Sequence, residues 1–561
     1  MADKSKDKIA DLAAEFTTAF NPIVGVSRSE LLKSYGTFFK TAASNPLTFA
    51  NHMAKYTQDL VEIMKGDSEY GPDRRDRRFK DLTWQVNPFY KRGLQSWLAF
   101  RENMKNWMTD LEMDDIDKAR TAFVMDLLAD SVAPTNSLLG NPAAMKRLFE
   151  SGGMSVVKGL KNAYEDMVNG IGLPAQVDSR PFKVGETIVT TEGAVVYKTE
   201  MLELIQYKPL TDKVQEIPLL MVPPQINKFY CSDLTPEKSL FQFLLRQGFQ
   251  FFVISWRNPG PEHRDWGLEE YIREIVMATD AIANITKQEK VNVVGACSGG
   301  ITLATLLSTL AHQKDNRINA VSLMVCVLDP RTEDSDVGIF VTEETIELAR
   351  QQSEKKGILS GDDLTRTFAW LRPNDLIWNY VVNNYLMGED PPAFDILHWN
   401  NDSTNLPAKL HSDYLDAYLD APFANPGAVE FMGHPLDLGA VKNDIYYLAG
   451  VTDHITPWRA CYRSAGLFGG NVTFTLSNSG HIQSIINPPG NPKARFFKGE
   501  EMGDKDWSDW MGTAKEVEGS WWLDWADWLK ERSGKSKAAP KTLGSRKHKA
   551  GTPAPGEYVH D

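Results

Sequence analysis

A cysteine framed by two glycines is the pattern with the clearest chemical potential in this sequence of 561 residues. The segment Gly295-Ala296-Cys297-Ser298-Gly299 follows an apolar run at 291–294 and precedes a helical pattern from Thr302 to Leu310. A nucleophile on a sharp strand-to-helix turn needs glycine two positions before and after it, because larger side chains would collide with the neighbouring strand and helix. This spacing selects Cys297 rather than Ser298. Since a helix dipole favours a thiolate at the helix start, we expect Cys297 to be a reactive nucleophile.

A carboxylate and an imidazole follow the cysteine in the order that a catalytic triad on such a turn requires. Asp453 comes just after an apolar run at 445–449, and His481 comes just after the run at 472–476. We therefore predict that His481 is the base and that Asp453 holds its tautomer and stabilises the imidazolium. His454 competes as the base, but it adjoins Asp453, and neighbouring side chains in an extended loop point apart. We assign His454 a structural role beside the site.

Two backbone N–H groups are predicted to form an oxyanion hole for this site. The residue after the nucleophile, Ser298, usually provides one of them. The second is expected from the loop that begins Pro223-Pro224-Gln225-Ile226-Asn227, where Ile226 is the candidate. Cys326 follows the helix after Cys297 and is a candidate for the pocket wall, although the three other cysteines are otherwise expected to pack as small apolar groups.

The surrounding pattern predicts the elements that position these residues. Apolar segments that read as strands lie at 194–197, 202–207, 219–222, 251–256, 291–294, 321–328, 445–449 and 472–476. A helical pattern with Leu268, Ile272 and Ile282 on one face lies between two of them. Strands that alternate with helices indicate a mostly parallel sheet covered on both faces. Together with a nucleophile, acid and base on successive turns, this sheet predicts an α/β-hydrolase fold.

The remaining sequence suggests a second domain and an insertion. Residues 1–176 have a mostly helical pattern and are predicted to form an N-terminal domain, followed by the catalytic domain at 177–561. Within the latter, about 330–440 is predicted to be a cap, since long insertions of this kind usually serve as active-site lids. Trp521, Trp522 and Trp525 recur at helical spacing and are predicted to pack on the domain. The basic segment from about 535 to 561 is predicted to be a solvated tail rather than a binding arm.

Composition excludes several classes of protein. A net charge of −13 argues against a nucleic-acid partner. Four cysteines without paired spacing indicate neither a disulfide framework nor a metal site. The charged N-terminus is not followed by a signal-peptide core, and no apolar run has membrane-spanning length. We therefore expect a cytoplasmic protein with no transmembrane segment.

The sequence resembles the polyhydroxyalkanoate synthases over nearly its whole length. The segments that carry the resemblance are Arg77-Arg78-Phe79 with Trp84 and Asn87-Pro88, Pro223 to Tyr230, Ser255 to Pro259, Gly295 to Gly300, Leu371 to Asp375, Asp453 to Trp458, Ser479 to Ile482 and Asn487 to Pro489. The family's catalytic Cys, Asp and His fall on Cys297, Asp453 and His481. The Ala-Cys-Ser variant between the glycines resembles the class II single-subunit enzymes.

This resemblance implies a polymerase that takes (R)-3-hydroxyacyl-CoA of medium chain length, releases CoA and carries the polyester as a thioester on Cys297. It also implies a homodimer at the surface of a polymer granule, with no cofactor beyond the CoA thioester substrate. Related sequences commonly have Ser at the position of Cys326, so the chain-length preference stays open. So does the role of Asp453, which either orients His481 or activates the 3-hydroxyl. A hydrolase of the same fold and an inert granule protein remain alternatives.

Overall fold

A computed structural model describes residues 40–41, 43–74, 76–331, 343–371, 373–500, 502 and 506–561. The predicted helical pattern before residue 40 and part of the predicted cap, including Arg372, lie outside these residues. The described chain divides into two compact units. The helical unit contains the described residues up to Asp178, 343–345 and Asp362–Phe394, and the sheet unit contains the others from Ser179 onward. The insertion predicted as one cap thus contributes to both units.

Seventeen α-helices occur in the described residues. They are α1 (Pro46–Lys65), α2 (Thr83–Val86), α3 (Pro88–Asp110), α4 (Asp115–Ser131), α5 (Pro142–Glu150), α6 (Met154–Asn169), α7 (Leu240–Arg246), α8 (Leu268–Thr286), α9 (Ser298–Gln313), α10 (Glu343–Lys356), α11 (Gly361–Leu371), α12 (Asp395–Asn400), α13 (Ala408–Leu419), α14 (Trp458–Ala465), α15 (His481–Ile485), α16 (Trp507–Thr513) and α17 (Trp521–Glu531). Two π-helical segments, Asn374–Trp378 and Val381–Leu386, belong to the helical unit.

The strands are β1 (Gly193–Lys198), β2 (Leu202–Tyr207), β3 (Lys213–Gln215), β4 (Leu219–Val222), β5 (Phe251–Trp256), β6 (Val291–Ala296), β7 (Ile318–Met324), β8 (Ile358–Leu359), β9 (Leu406–Pro407), β10 (Glu430–Phe431), β11 (His434–Pro435), β12 (Asp444–Gly450), β13 (Val472–Ser477), β14 (Arg495–Lys498), β15 (Lys515–Glu518) and β16 (Ser536–Ala538). Ten of them form one sheet in the order β1-β2-β5-β4-β6-β7-β12-β13-β14-β15. Its centre, from β5 to β13, is parallel. Both outer edges are antiparallel.

Aromatic packing and capping define the helical unit. Phe79, Trp84, Leu94 and Trp97 form a buried cluster near the start of α3. The Asn87 side chain accepts a hydrogen bond from the Phe89 N–H and so caps that helix. Leu94 and Trp97 thus bury one side of α3 against Phe79 and Trp84, as the predicted helical pattern requires.

The sheet confirms the predicted α/β-hydrolase architecture, with one strand displaced by several residues from its predicted bounds and four others one or two residues longer than predicted. The strands predicted at 202–207, 219–222 and 251–256 have those bounds. The strand predicted at 321–328 instead runs from Ile318 to Met324. Val325 has a φ of 46°, so the chain leaves the sheet there. The residues that follow are also apolar, because they are buried beyond the carboxyl end of β7. Burial alone does not distinguish them from a strand.

The tryptophan-rich helix α17 packs on the sheet, as predicted. Trp521, Trp522 and Trp525 are almost completely buried. The indole N–H of Trp525 donates to Ser322 Oγ of β7 at 2.8 Å. The indoles of Trp521 and Trp522 donate to the carbonyls of Ser484 and Ile485, at the end of α15. This helix therefore supports the short segment that begins with His481.

The prediction of a solvated tail at 535–561 was wrong. β16 pairs antiparallel with β3, and the Val195 N–H on β1 donates to the Thr552 carbonyl at 2.8 Å. The buried carboxylate of Glu203 accepts the N–H groups of Glu557 and Tyr558 at 2.8 and 3.0 Å. The lysine-rich composition of residues 535–561 suggested a solvated segment, because composition describes only the side chains. Here it is the backbone of the segment that satisfies an open sheet edge.

Candidate active site

The turn between β6 and α9 holds Cys297 in a strained backbone conformation. Its φ is 50° and its ψ is −124°, a region that non-glycine residues rarely adopt outside functional turns. The Cys297 N–H donates to the Met324 carbonyl at 2.9 Å, which fixes the turn against β7. A Cβ on Gly299 would lie 2.7 Å from the carbonyl carbon of Pro223, so the loop after β4 can approach the turn only because this residue is glycine.

His481 and Asp453 form a buried pair on the loops after β13 and β12. His481 Nδ1 lies 2.7 Å from Asp453 Oδ2. The other carboxylate oxygen, Oδ1, accepts the N–H groups of Ile455 and Thr456 at 2.9 Å each. The Thr456 hydroxyl donates to Oδ2 at 2.6 Å. Both oxygens are thus held, which fixes the carboxylate plane toward the imidazole.

The electrostatics of this pair favour its charged form. Burial by itself lowers the pKa of His481, but the Asp453 charge and hydrogen bond, together with contact with Cys297, raise it to about 10. Burial raises the pKa of Asp453, whereas the His481 charge and the hydrogen bonds from His481 and Thr456 outweigh it and leave that pKa below its ordinary value. Both shifts favour the ion pair, in which the imidazole carries the proton and the carboxylate does not.

This shift predicts how stability depends on pH. A histidine whose pKa is raised on folding stabilises the folded state fully below its unfolded pKa of about 6.5, and loses that contribution as pH rises through the folded value. We expect the difference in unfolding free energy between the wild type and His481→Gln to be largest near pH 6.5 and to shrink toward pH 10. Urea denaturation across this range measures the difference, and one that does not vary with pH would contradict the assignment.

The structure brings the predicted trio together. Cys297 lies close enough to His481 to help raise the pKa of that imidazole and is partly exposed, whereas the other three cysteines are buried. The side chain of His454 is exposed, whereas that of the adjacent Asp453 is buried and pairs with His481. Nucleophile, imidazole and carboxylate thus form a chain suited to transferring a proton from a thiol and returning it to a leaving group.

The remaining predicted residues lie around this chain. Ser298 is buried at the start of α9, and Ile226 is buried in the loop after β4. Cys326 is fully buried, and its sulfur would lie 2.7 Å from a Cβ at Gly300. It therefore packs behind the turn. Its thiol pKa is raised because it is buried.

Four polar residues at the site were missed from sequence. Thr456 follows Asp453 by three positions, a spacing typical of a carboxylate that bonds the backbone ahead of it, and this signal was available. Thr404 and Tyr414 each donate a hydrogen bond to Gln225 in the loop after β4. No local sequence signal pointed to these contacts, because Thr404 and Tyr414 belong to the insertion and are distant in sequence from Gln225.

The described residues also lack two kinds of structural feature. They contain no group of three or more His, Cys, Asp or Glu side chains arranged to hold a metal ion. In the same part of the chain, no helix combines the length and apolar character needed to cross a membrane.

The sheet and the turn define an α/β-hydrolase, in which the nucleophile precedes the acid and the base on successive strand ends. A family model described as the alpha/beta hydrolase fold matches residues 218–488. Among solved structures, a monoacylglycerol lipase from Paleococcus ferrophilus matches with a TM-score of 0.32 and 14% identity, covering 59% of this chain and 99% of the lipase.

A second family model, the N-terminus of poly-beta-hydroxybutyrate polymerase, matches residues 75–244. Poly(3-hydroxyalkanoate) polymerase 1 of Ectopseudomonas oleovorans is 49% identical over the full length of both chains. Polymerase 2 of the same organism is 46% identical over the full length, and a polymerase subunit of Cupriavidus necator is 37% identical over 92% of this chain and 88% of its own. The chain belongs to the poly(3-hydroxyalkanoate) polymerase family. It is an acyltransferase that polymerises hydroxyalkanoates.

Proposed function

We propose that the enzyme takes (R)-3-hydroxyacyl-CoA, with acyl groups of medium chain length, and carries the growing polyester as a thioester on Cys297. The observation that supports this most directly is the strained turn, which presents Cys297 to a buried, charged His481–Asp453 pair. The preference for medium chains rests on similarity to the class II enzymes.

The first step is a thioester exchange. Cys297 gives its thiol proton to His481, and its sulfur attacks the carbonyl carbon of the CoA thioester. The resulting oxyanion collapses as the bond to the CoA sulfur breaks. The departing CoA thiolate receives a proton from the His481 imidazolium. One thioester replaces another, so the acyl group stays activated for the next transfer. An oxygen ester on serine would lose that activation.

The second step extends the chain. The 3-hydroxyl of one unit gives its proton to a base and attacks the acyl thioester of another unit. An ester bond forms as the carbon–sulfur bond breaks, and the departing thiolate takes up the proton. His481 is one base for this step, and Asp453 is the other candidate. The backbone N–H groups of Ser298 and Ile226 are proposed to stabilise the tetrahedral oxyanion in both steps.

Family similarity supports three further proposals about the enzyme's setting. They are that it acts in the cytoplasm at the surface of polymer granules, that it works as a homodimer, and that it requires no cofactor. Co-isolation with polymer granules tests the location. Sedimentation of the purified chain with and without substrate tests the homodimer, and activity after dialysis against a chelator tests the absence of a cofactor.

The deciding experiment supplies purified protein with (R)-3-hydroxyacyl-CoA of several chain lengths and measures CoA release, free acid and insoluble polyester. Polyester that grows with CoA release, greatest for medium chains, supports the proposal. Free acid as the main product would indicate a hydrolase. Absence of CoA release, with thiol reagents no faster at Cys297 than elsewhere, would indicate an inert granule protein.

A further inference from the structure

The loop after β4 is held from two sides by residues of the insertion. The hydroxyl of Thr404 donates to the Gln225 carbonyl at 2.6 Å. The Thr404 N–H donates to the carbonyl of Ile226 at 3.3 Å. Thr404 is itself buried, so neither contact is shared with bulk solvent. One residue of the insertion thus bonds to two successive carbonyls of the loop.

The contact with Gln225 also sets the direction of the Ile226 N–H. The carbonyl of Gln225 and the N–H of Ile226 belong to one planar trans peptide unit and point in opposite directions. A donor that fixes the carbonyl therefore fixes the N–H. Within the described part of the chain, the Ile226 N–H has no acceptor. A buried donor without a partner is uncommon in proteins and is suited to an oxyanion that forms only during reaction.

The side chain of Gln225 ties the same loop to the nucleophile turn. Its Oε1 accepts hydrogen bonds from Tyr414 of α13 at 2.8 Å and from Ser298 Oγ at 3.2 Å. Its Nε2 donates to Thr302 of α9 at 2.9 Å. Every polar atom of this buried amide group is bonded, so its position relative to α9 is well determined. Gln225 fixes the location of the peptide unit, and Thr404 fixes its rotation.

We propose that Thr404 is a positioning residue for the oxyanion hole, orienting the Ile226 N–H toward the oxygen of the acyl group on Cys297. It acts through the peptide and touches no reacting atom. The geometry makes the oxyanion hole depend on the insertion, since the hydroxyl that sets the peptide comes from the segment between α12 and α13. This inference rests on the proposed acyl transfer at Cys297.

The test compares Thr404→Val, which keeps the shape and removes the hydroxyl, with Thr404→Ser, which keeps the hydroxyl. Rapid-quench measurement of CoA release in a single turnover gives the acylation rate. We expect Thr404→Val to lower it by about tenfold to a hundredfold with little change in KM, because losing an oxyanion donor outright lowers kcat by about a hundredfold to a thousandfold. Thr404→Ser should stay within about threefold of the wild type, since the hydrogen bond remains.

Alkylation of Cys297 by iodoacetamide provides a second readout. Displacement of iodide creates no oxyanion, so a correctly folded Thr404→Val should be alkylated at the wild-type rate while its acylation is slow. Equal acylation by the Val and Ser variants would overturn the proposal. A parallel fall in alkylation and acylation would also overturn it, because the hydroxyl would then support the turn as a whole. Thr404→Ala repeats this comparison without the methyl group that valine adds. A wild type that never acylates would instead contradict the proposed function.

Discussion

Cys297→Ala is expected to reduce CoA release and polyester formation to background, a loss of at least about ten-thousandfold, as removal of a catalytic nucleophile does in other covalent enzymes. No other thiol can substitute, because Cys231, Cys326 and Cys461 are buried. Alanine fits the turn without new contacts, so the fold should be retained. CoA release and polymer mass measure the loss, and circular dichroism measures the fold.

Two further variants separate the nucleophile from its surroundings. Cys326→Ala removes the sulfur that packs behind Gly300 and should leave substantial activity, with reduced stability from the small cavity it creates. Cys297→Ser should acylate slowly and elongate poorly, since an oxygen ester is less activated than a thioester. Continued CoA release by Cys297→Ala at a rate near that of Cys326→Ala would show that another group carries the acyl chain.

Asp453→Asn is expected to reduce elongation more than the first acylation. A thiol loses its proton near pH 8.5, so acylation needs modest assistance from a base, whereas an alcohol is far more difficult to deprotonate. If Asp453 acts on the 3-hydroxyl, elongation should fall by about a hundredfold to ten-thousandfold, the contribution of a positioned general base. Acylation should fall by about tenfold to a hundredfold, since His481 remains in place. The CoA burst measures acylation, and polymer yield measures elongation.

His454→Asn is the matched control, since it changes the neighbouring residue of the same loop. Its side chain is exposed and the Asp453 carboxylate faces His481, so both steps should proceed at close to the wild-type rate. An equal loss of acylation and elongation in Asp453→Asn would argue that the carboxylate only orients the imidazole. A loss in His454→Asn comparable with that in Asp453→Asn would reopen the choice of base.

The sequence predicted those parts of the site that depend on local patterns. The glycines around Cys297 and the apolar strands before Asp453 and His481 are short-range features, so the order of the trio and most strand bounds could be read directly. The contacts that hold the loop after β4 could not be predicted in this way. Thr404 and Gln225 are separated by 179 positions and meet only because the insertion folds back over the loop. Threonine and glutamine are mostly surface residues in proteins, so their types did not mark them as parts of a buried site.

The same reason explains the two structural errors. After Met324 only the Val325 N–H still donates to the neighbouring strand, at the Leu448 carbonyl, and the apolar residues beyond it are buried outside the sheet. Hydrophobicity reports burial rather than hydrogen bonding. The segment from 535 is charged in its side chains but paired through its backbone, and composition reports only the former. Both errors concern backbone partners distant in sequence, which periodicity does not describe.

The contacts of residues 535–561 also affect how the chain emerges from the ribosome. β1 is an outer strand, and the groups that cover its open side come from about residue 552. Glu203 and its partner Glu557 are separated by 354 positions. At ordinary translation rates of about 5–20 residues per second, β1 stays uncovered for about 20–70 seconds after its synthesis. During that interval it can pair with the edge of another nascent chain, so aggregation during synthesis is the hazard that this late closure creates.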